Sequence, residues 1–228
     1  MGSLAYPRSV EWSLFADVPP DELARVLSIA RRRTFSRGEV VFHEGDPADS
    51  FHLVTRGRFA ARLRTRLGDT ALLSIIGQGQ AFGELALVGE PEPRSTTVFA
   101  LEAAETRAVY GADFARIRRE FSAIDAVLVA LLSAQVRRLS QRVLEAYYVD
   151  AEARVRRRLL ELATTYGGDQ PVSPVTVPLT QDDIAGLAGT SRATVNRVLR
   201  REQDRGTVAL GRGRTVVLDV AALVDRRR

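Results

Sequence analysis

Glu84, Arg94 and Ser95 are the residues whose types and spacing most directly suggest chemistry. They lie in residues 77–98, GQGQAFGELALVGEPEPRSTTV. Arg94 could hold a phosphate through paired hydrogen bonds, with Ser95 and the amides of a glycine-led turn as further donors. Glu84 could accept a hydrogen bond from a sugar hydroxyl. The alternative is a surface ion pair between Glu84 and Arg94. An unpaired buried arginine is costly, which favours an anionic ligand.

The composition excludes several other kinds of site. The 228-residue chain has no cysteine, so it can form no disulfide, thiolate iron–sulfur cluster or cysteine nucleophile. Its two histidines, His43 and His52, do not form a helical H-E-x-x-H pattern, so no metal site is predicted. A phosphate-binding loop and a G-x-S-x-G elbow are also missing from the sequence. We therefore predict no catalytic residues and no enzyme.

A β domain is predicted to position the charged residues. Residues 36–109 form short runs of alternating apolar residues cut by glycine, aspartate and proline. This pattern is typical of an all-β barrel or sandwich. The preceding segment, PPDELARVLSIARRR, predicts one short amphipathic helix that starts near Asp21.

One long helix is predicted between Asp113 and Asp150, where glycine and proline are absent. One apolar stripe has heptad spacing: Val129, Leu132, Val136, Leu139, Val143 and Ala146. A second stripe could pack on the β domain: Phe114, Ile117, Phe121, Ile124, Leu128 and Leu131. The heptad stripe could pack inside its own chain. A parallel two-helix dimer seam is favoured, because a helix this long has little else to cover it.

The last third of the chain predicts a DNA-binding module. EARVRRRLLELATTYGG predicts a helix that ends at Gly167–Gly168, and DQPVSPVTVP predicts a connector. Thr180 with Asp183 suits a helix start, Gly189 a left-handed break, and Ser191 the cap of a second helix. Val195, Val198 and Leu199 would face inward. The outward candidates for DNA contact are Thr180, Ser191, Arg192, Thr194, Asn196, Arg197 and Arg200.

Charge supports that interpretation. Residues 151–228 contain 14 arginines and 9 acidic residues, an excess equal to the formal net charge of +5. TVALGRGRTVVLDV predicts a two-stranded wing whose Arg212 and Arg214 could reach phosphates. Arg226–Arg228 would be a solubilising tail. The alternative is that the arginines of the second helix only form a solvated face.

Over nearly its full length the chain resembles the cyclic-AMP receptor protein (CRP/FNR) family of bacterial transcription regulators. The resemblance rests on RGEVVFHEGDPADSFHLVTRGR, FGELALVGEPEPRSTTV and TSRATVNRVL. It implies an α+β fold with a cyclic-nucleotide-binding β-roll, jelly-roll-like, at residues 1–111. A long dimerisation helix at 112–150 and a winged helix-turn-helix at 151–228 would follow.

The same resemblance implies a ligand site. The ligand would be cyclic AMP, with cyclic GMP as a further possibility. Glu84 would bind the ribose 2′-hydroxyl, and Arg94 with Ser95 would hold the cyclic phosphate. Gly83 and Leu85 would supply backbone contacts.

Two positions depart from the family pattern. Cyclic-AMP-responsive members read adenine with a Thr-Ser pair on the long helix, where this chain has Leu139 and Ser140. Leu139 cannot make that hydrogen bond, so discrimination between adenine and guanine is expected to fall. Ala193 replaces a glutamate of the recognition helix, so we expect an operator related to, but looser than, the usual half-site.

The function expected from the resemblance is a cytoplasmic homodimeric regulator of transcription. It would bind double-stranded DNA at a near-palindromic operator, with RNA polymerase as a further partner and no membrane association. The cyclic nucleotide would act by binding one arrangement of the dimer better than another. The alternative is a family member that binds DNA independently of cyclic nucleotide or responds to a different effector.

Overall fold

The computed structural model describes residues 12, 19–64, 70–87, 92–120, 123–168 and 171–225. The chain divides into two units. The first lies within Met1–Ala61 and Ile75–Arg137, and the second lies within Arg62–Ser74 and Arg138–Arg228. The alternating segment predicted to be a β domain forms two four-stranded sheets.

The strands of these sheets follow one another along the chain between Arg31 and Tyr110. They are β1 (Arg31–Phe35), β2 (Val40–Phe42), β3 (Ser50–Arg56), β4 (Phe59–Arg64), β5 (Thr70–Ile76), β6 (Ala81–Phe82), β7 (Thr97–Ala100) and β8 (Ala104–Tyr110). The sheet orders are β1-β8-β3-β6 and β2-β7-β4-β5. Alternate apolar side chains of both sheets share one core, in which Phe59 and Val54 are fully buried.

The predicted first helix is shorter than expected. Helix α1 spans Pro20–Ile29, and Ala30 is already extended. The three arginines that the prediction placed in this helix belong to β1, where Arg31 pairs with Ala108 of β8. Their side chains are exposed. Strand pairing satisfies their backbone while the charges stay in water, so helical propensity does not decide this segment.

The predicted single long helix is two helices. Helix α2 spans Gly111–Glu120 and α3 spans Ala123–Tyr148. Phe114 and Leu128 from the second apolar stripe are buried in a core cluster with residues of β3 and β8, as that stripe predicted. Phe121 lies outside the described residues. The heptad stripe on α3 is open to solvent in the single chain, with Val129 62%, Val136 62%, Leu139 50% and Val143 54% exposed.

The rest of the second unit matches the predicted helix-turn-helix and wing. After helix α4 (Ala151–Gly167) the elements are β9 (Val175–Val177), α5 (Gln181–Ala188), α6 (Arg192–Asp204), β10 (Val208–Gly211), β11 (Arg214–Val217) and α7 (Val220–Asp225). The connector prediction missed β9, which pairs with β11 to give the sheet order β10-β11-β9. Val195, Val198 and Leu199 are fully buried, as predicted.

Candidate ligand site and DNA-binding surface

Arg94 is fixed by its backbone before its side chain makes any contact. Its amide donates to the carbonyl of Asp46 at 2.8 Å, and its carbonyl accepts from the amide of Gly45 at 2.9 Å. The turn before β3 and the loop before β7 are thereby held together. The Arg94 residue is only 6% exposed, so its guanidinium lies inside the first unit.

Three neighbours surround the guanidinium of Arg94. Its Nη2 donates to Ser50 Oγ at 3.0 Å and lies 3.3 Å from Asp49 Oδ1. Its central carbon lies 4.0 Å from the centre of the Phe42 ring, within cation–π range. Its Nε has no hydrogen-bond acceptor among the residues that the structure describes. Burial lowers the pKa of Arg94, and the charge of Asp49 opposes that shift.

Gly83 leaves the space that the guanidinium occupies. Its φ is +82°, and an added Cβ would lie 2.8 Å from the Ser50 carbonyl oxygen and 3.0 Å from Arg94 Nη1. Backbone geometry and space therefore both require glycine here. The following residue, Glu84, begins a short 3₁₀ helix, Glu84–Leu87.

The alternative of an ion pair between Glu84 and Arg94 is not what the structure contains. The carboxylate that pairs with Arg94 in the described part of the chain is that of Asp49. Glu84 contributes its charge, which raises the pKa of Arg94 as a smaller effect than that of Asp49. The argument from an unpaired buried arginine is also wrong in its premise, because Asp49 pairs with Arg94. Ser95 is exposed, and Leu85 is 54% exposed.

The sequence analysis did not predict that Asp49, Ser50 and His52 would lie beside Arg94. His52 is 2% exposed, and its ring stacks on Phe82 with centroids 4.9 Å apart and planes 3° apart. Burial lowers the pKa of His52 to about 3, and the positive charge of Arg94 acts in the same direction. The alternation of β3 could have indicated that residues 50 and 52 share a face, but not that Arg94 meets it.

Leu139 and Ser140, predicted to lie next to the nucleobase of the ligand, are both exposed on α3. They belong to the second unit, whereas Gly83, Glu84 and Arg94 belong to the first. Their assignment to the ligand stays a prediction.

The predicted caps of the helix-turn-helix are confirmed. Thr180 and Asp183 form a reciprocal capping box at the start of α5. Gly189 has φ 58° and ψ 46°, the left-handed conformation that ends this helix. Ser191 Oγ accepts from the amide of Thr194 at the start of α6. These local bonds set the angle of α6 and orient its outer face.

That outer face is exposed, but several of its polar side chains have partners within the chain. Each contact joins α6 to a residue of α4, α5 or α6 itself. They are Arg192 with Asp182 at 3.5 Å, Asn196 with Gln181 at 3.1 Å, Arg197 with Glu152 at 3.1 Å and Arg200 with Gln203 at 3.4 Å. Glu152, which also accepts from Arg201 at 2.7 Å, was not predicted. Arg212 is exposed in the turn between β10 and β11, as the wing predicted.

The described residues lack two further kinds of feature. They contain no group of three or more histidine, cysteine, aspartate or glutamate side chains that could hold a metal ion. Among the same residues, no helix is long and apolar enough to cross a membrane.

Two family models match the chain in the order of its two halves. Residues 32–121 match the cyclic nucleotide-binding domain, and residues 153–226 match the Crp-like helix-turn-helix domain. The first range includes Glu84 and Arg94, and the second includes the whole of α6.

Curated relatives match along almost the whole chain. The chain is 33% identical over 213 residues to the "Cyclic AMP receptor protein" of Thermus thermophilus, covering 93% of this chain and 94% of that one. It is 32% identical over 218 residues to the "CRP-like cAMP-activated global transcriptional regulator" of Mycobacterium tuberculosis, covering 94% and 95%. The Mycobacterium tuberculosis relative is named as a transcriptional regulator and not as an enzyme.

Solved structures agree on the fold. The Thermus thermophilus catabolite activator protein aligns with a TM-score of 0.54 at 31% identity, covering 94% of this chain and 97% of that one. The c-di-GMP responsive global regulator CLP of Xanthomonas campestris aligns with a TM-score of 0.74 at 21% identity, covering 88% and 99%. The chain belongs to the CRP/FNR family of DNA-binding transcription regulators and carries the family's cyclic nucleotide-binding domain.

Proposed function

We propose that the protein is a homodimeric transcription regulator controlled by a cyclic nucleotide, with cyclic AMP as the preferred ligand. The observation that carries the proposal is the buried guanidinium of Arg94. A buried cation is costly unless an anion compensates it. Its described partner carboxylate, Asp49, has a side chain 67% exposed, so an incoming phosphate could displace it at small cost.

The cyclic phosphate would bind to Arg94 and Ser95. Gly83 keeps the space next to Arg94 Nη1 free of a side chain, so the guanidinium can hold the position from which it would bind the phosphate. Glu84, half-buried at the start of the 3₁₀ helix, would accept from the ribose 2′-hydroxyl. The backbones of Gly83 and Leu85 would complete the contacts to the sugar phosphate.

Isothermal titration of the full chain with cyclic AMP and cyclic GMP tests this assignment. Arg94→Ala should weaken binding at least about tenfold, because charge-assisted hydrogen bonds contribute about 1.5–3 kcal/mol. Arg37→Ala is the matched control, since Arg37 is an exposed arginine of the same unit. Equal heats from wild type and Arg94→Ala would refute the role of Arg94.

Dimerisation would occur along α3. Four half-exposed or more exposed apolar side chains repeat there at heptad spacing, and such a stripe normally packs on a second helix. Val136→Glu should shift the protein from dimer to monomer in sedimentation velocity. Gln141→Glu, an exposed change off the stripe, should leave the dimer intact.

The paired α6 helices would then enter the major groove at half-sites about one helical turn apart. The residues that would face base edges are Arg192, Asn196, Arg197 and Arg200. Those that would lie near the DNA phosphate backbone are Arg212 and the exposed residues Thr180 and Ser191. Thr194 and Ser191 would also keep the helix start in place. RNA polymerase would be a further partner at the promoter.

An alternative keeps DNA binding and changes the effector. Leu139 supports it, because an apolar side chain, 50% exposed, stands where cyclic-AMP-responsive members have a hydroxyl. Ser140 would then read the base alone, or another ligand would bind. Operator binding by a protein that gives no heat with either cyclic nucleotide would favour this alternative.

A further inference from the structure

A buried polar chain connects Arg94 to β8 through the core of the first unit. Thr106 Oγ1 lies 3.1 Å from His52 Nδ1, and His52 Nε2 lies 3.2 Å from Ser50 Oγ. Ser50 Oγ in turn accepts from Arg94 Nη2 at 3.0 Å. Thr106 and His52 are 0% and 2% exposed. Buried polar groups are costly unless they are hydrogen-bonded, and here Ser50, His52 and Thr106 each have a partner.

In this hydrogen-bonded series of side chains, the position of each hydrogen determines the position of the next. Arg94 can only donate, so Ser50 accepts from it and has one hydrogen of its own to give. The carboxylate of Asp49, 2.8 Å from Ser50 Oγ, is a stronger acceptor than a neutral imidazole. The Ser50 hydrogen therefore goes to Asp49, and His52 Nε2–H donates to Ser50. His52 Nδ1 then accepts the hydroxyl hydrogen of Thr106.

The environment of His52 keeps this hydrogen-bond arrangement constant over the physiological pH range. Its pKa is lowered to about 3, first by burial and then by the charges of Arg94 and Arg33. The ring is thus neutral and carries one hydrogen. Stacking on Phe82 fixes the plane of the ring, so both ring nitrogens have set directions.

We propose that His52 is a positioning residue for Arg94, acting through the Ser50 hydroxyl to hold the guanidinium in the orientation that receives the ligand's phosphate. This inference rests on the proposed function, which assigns Arg94 to the phosphate. His52 itself does not touch the ligand. The two ring nitrogens of His52 make different hydrogen bonds. Nε2–H donates to Ser50 and so holds Arg94 in place, whereas Nδ1 only accepts from Thr106.

Two substitutions of His52 each retain one of these hydrogen bonds and remove the other. Glutamine can place its amide nitrogen near the position of Nε2, so His52→Gln retains a donor to Ser50 and loses the bond to Thr106. Asparagine can place its amide near the position of Nδ1, so His52→Asn retains a partner for Thr106 and loses the bond to Ser50. Each variant loses one buried hydrogen bond, so a merely structural role would affect both alike.

Titration with cyclic AMP gives the first readout. His52→Gln should bind within about twofold of wild type, and His52→Asn should bind about three- to tenfold more weakly, the size expected for one hydrogen bond. Substitution of the exposed His43 by glutamine or asparagine should change nothing. Equal affinities of the two His52 variants would overturn the inference, with unfolding curves used to confirm that both are folded.

Side-chain ¹⁵N NMR gives a second readout that needs no ligand. The chain has two histidines, so His43 serves as the internal reference for His52. In the wild type, His52 should show a neutral ring with its hydrogen on Nε2, and Arg94→Gln should shift those signals while His43 stays in place. Unmoved His52 signals would overturn the inference. A wild type that binds no cyclic nucleotide but shows the shift would refute only the proposed ligand.

Discussion

Glu152 at the start of α4 is the hydrogen-bond partner of Arg197 on the outer face of α6. Arg197 Nε donates to Glu152 Oε1 at 3.1 Å, although the two residues are 45 positions apart. Arg201 donates to the same carboxylate. Any phosphate or base that recruits these two arginines must compete with Glu152.

Glu152→Gln is therefore expected to strengthen binding to DNA of any sequence. Two arginines would be released and a negative charge removed, so the slope of log K against log salt should steepen by about 0.9 for each phosphate gained. Fluorescence anisotropy over a salt series measures this slope. Glu161→Gln makes the same charge change on α4 without a contact to α6. Equal slopes for the two variants would contradict a competing role for Glu152.

Asp49 is expected to compete with the ligand for Arg94. Asp49→Asn removes an anion from the guanidinium, so the affinity for cyclic AMP should rise about two- to fivefold, as expected for an exposed ion pair. Calorimetric titration measures the change. Glu102→Gln, which removes a carboxylate that pairs with Arg58, is the control for net charge. Weaker binding by Asp49→Asn would show that Asp49 helps to hold the ligand.

Gly83 and Gly38 form a matched pair for testing the cradle around Arg94. Both have φ +82°, but an added Cβ meets Ser50 and Arg94 at Gly83 and nothing within 4 Å at Gly38. Alanine at either position should cost roughly 1–2 kcal/mol of unfolding free energy through backbone strain. Only Gly83→Ala should also weaken cyclic nucleotide binding, by more than about tenfold. A similar loss in Gly38→Ala would mean that strain, not the contact, is responsible.

His52 should make the protein less stable as the pH falls. The unfolded chain binds a proton at His52 below pH 6.5, whereas the folded chain remains neutral there down to about pH 3. The unfolded state thus binds more protons, and stability declines as the pH drops through this window. Between pH 7.5 and pH 5, wild type should lose about 2 kcal/mol more unfolding free energy than His52→Gln. Urea denaturation at both pH values measures the difference, and parallel losses would contradict it.

Local sequence signals predicted the DNA-binding module well. Thr180, Gly189 and Ser191 act within three or four residues of themselves, so their types alone indicate where α5 and α6 begin and end. The apolar stripes of α3 were also readable, because they depend only on helical spacing. The break between α2 and α3 was missed, since neither glycine nor proline marks it.

Long-range contacts could not be predicted in the same way. Asp49 meets Arg94, and Glu152 meets Arg197, only because strands and helices distant in sequence come together. The arginines of β1 were wrongly assigned to a helix. Their pairing with β8 depends on tertiary structure and not on local propensity, so it could not be predicted from this segment alone. Glu84, Arg94 and Ser95 were predicted as candidate site residues from the sequence, but the residues that surround Arg94 were not.

We propose that a cyclic nucleotide bound at Arg94 controls DNA binding. The most direct test measures the affinity of the full chain for a near-palindromic operator duplex by anisotropy at fixed salt, with and without saturating cyclic AMP. We predict that cyclic AMP tightens operator binding at least fivefold, the lower end of typical allosteric coupling, and that Arg94→Ala abolishes this effect. Equal operator affinities of wild type with and without the nucleotide would contradict the account.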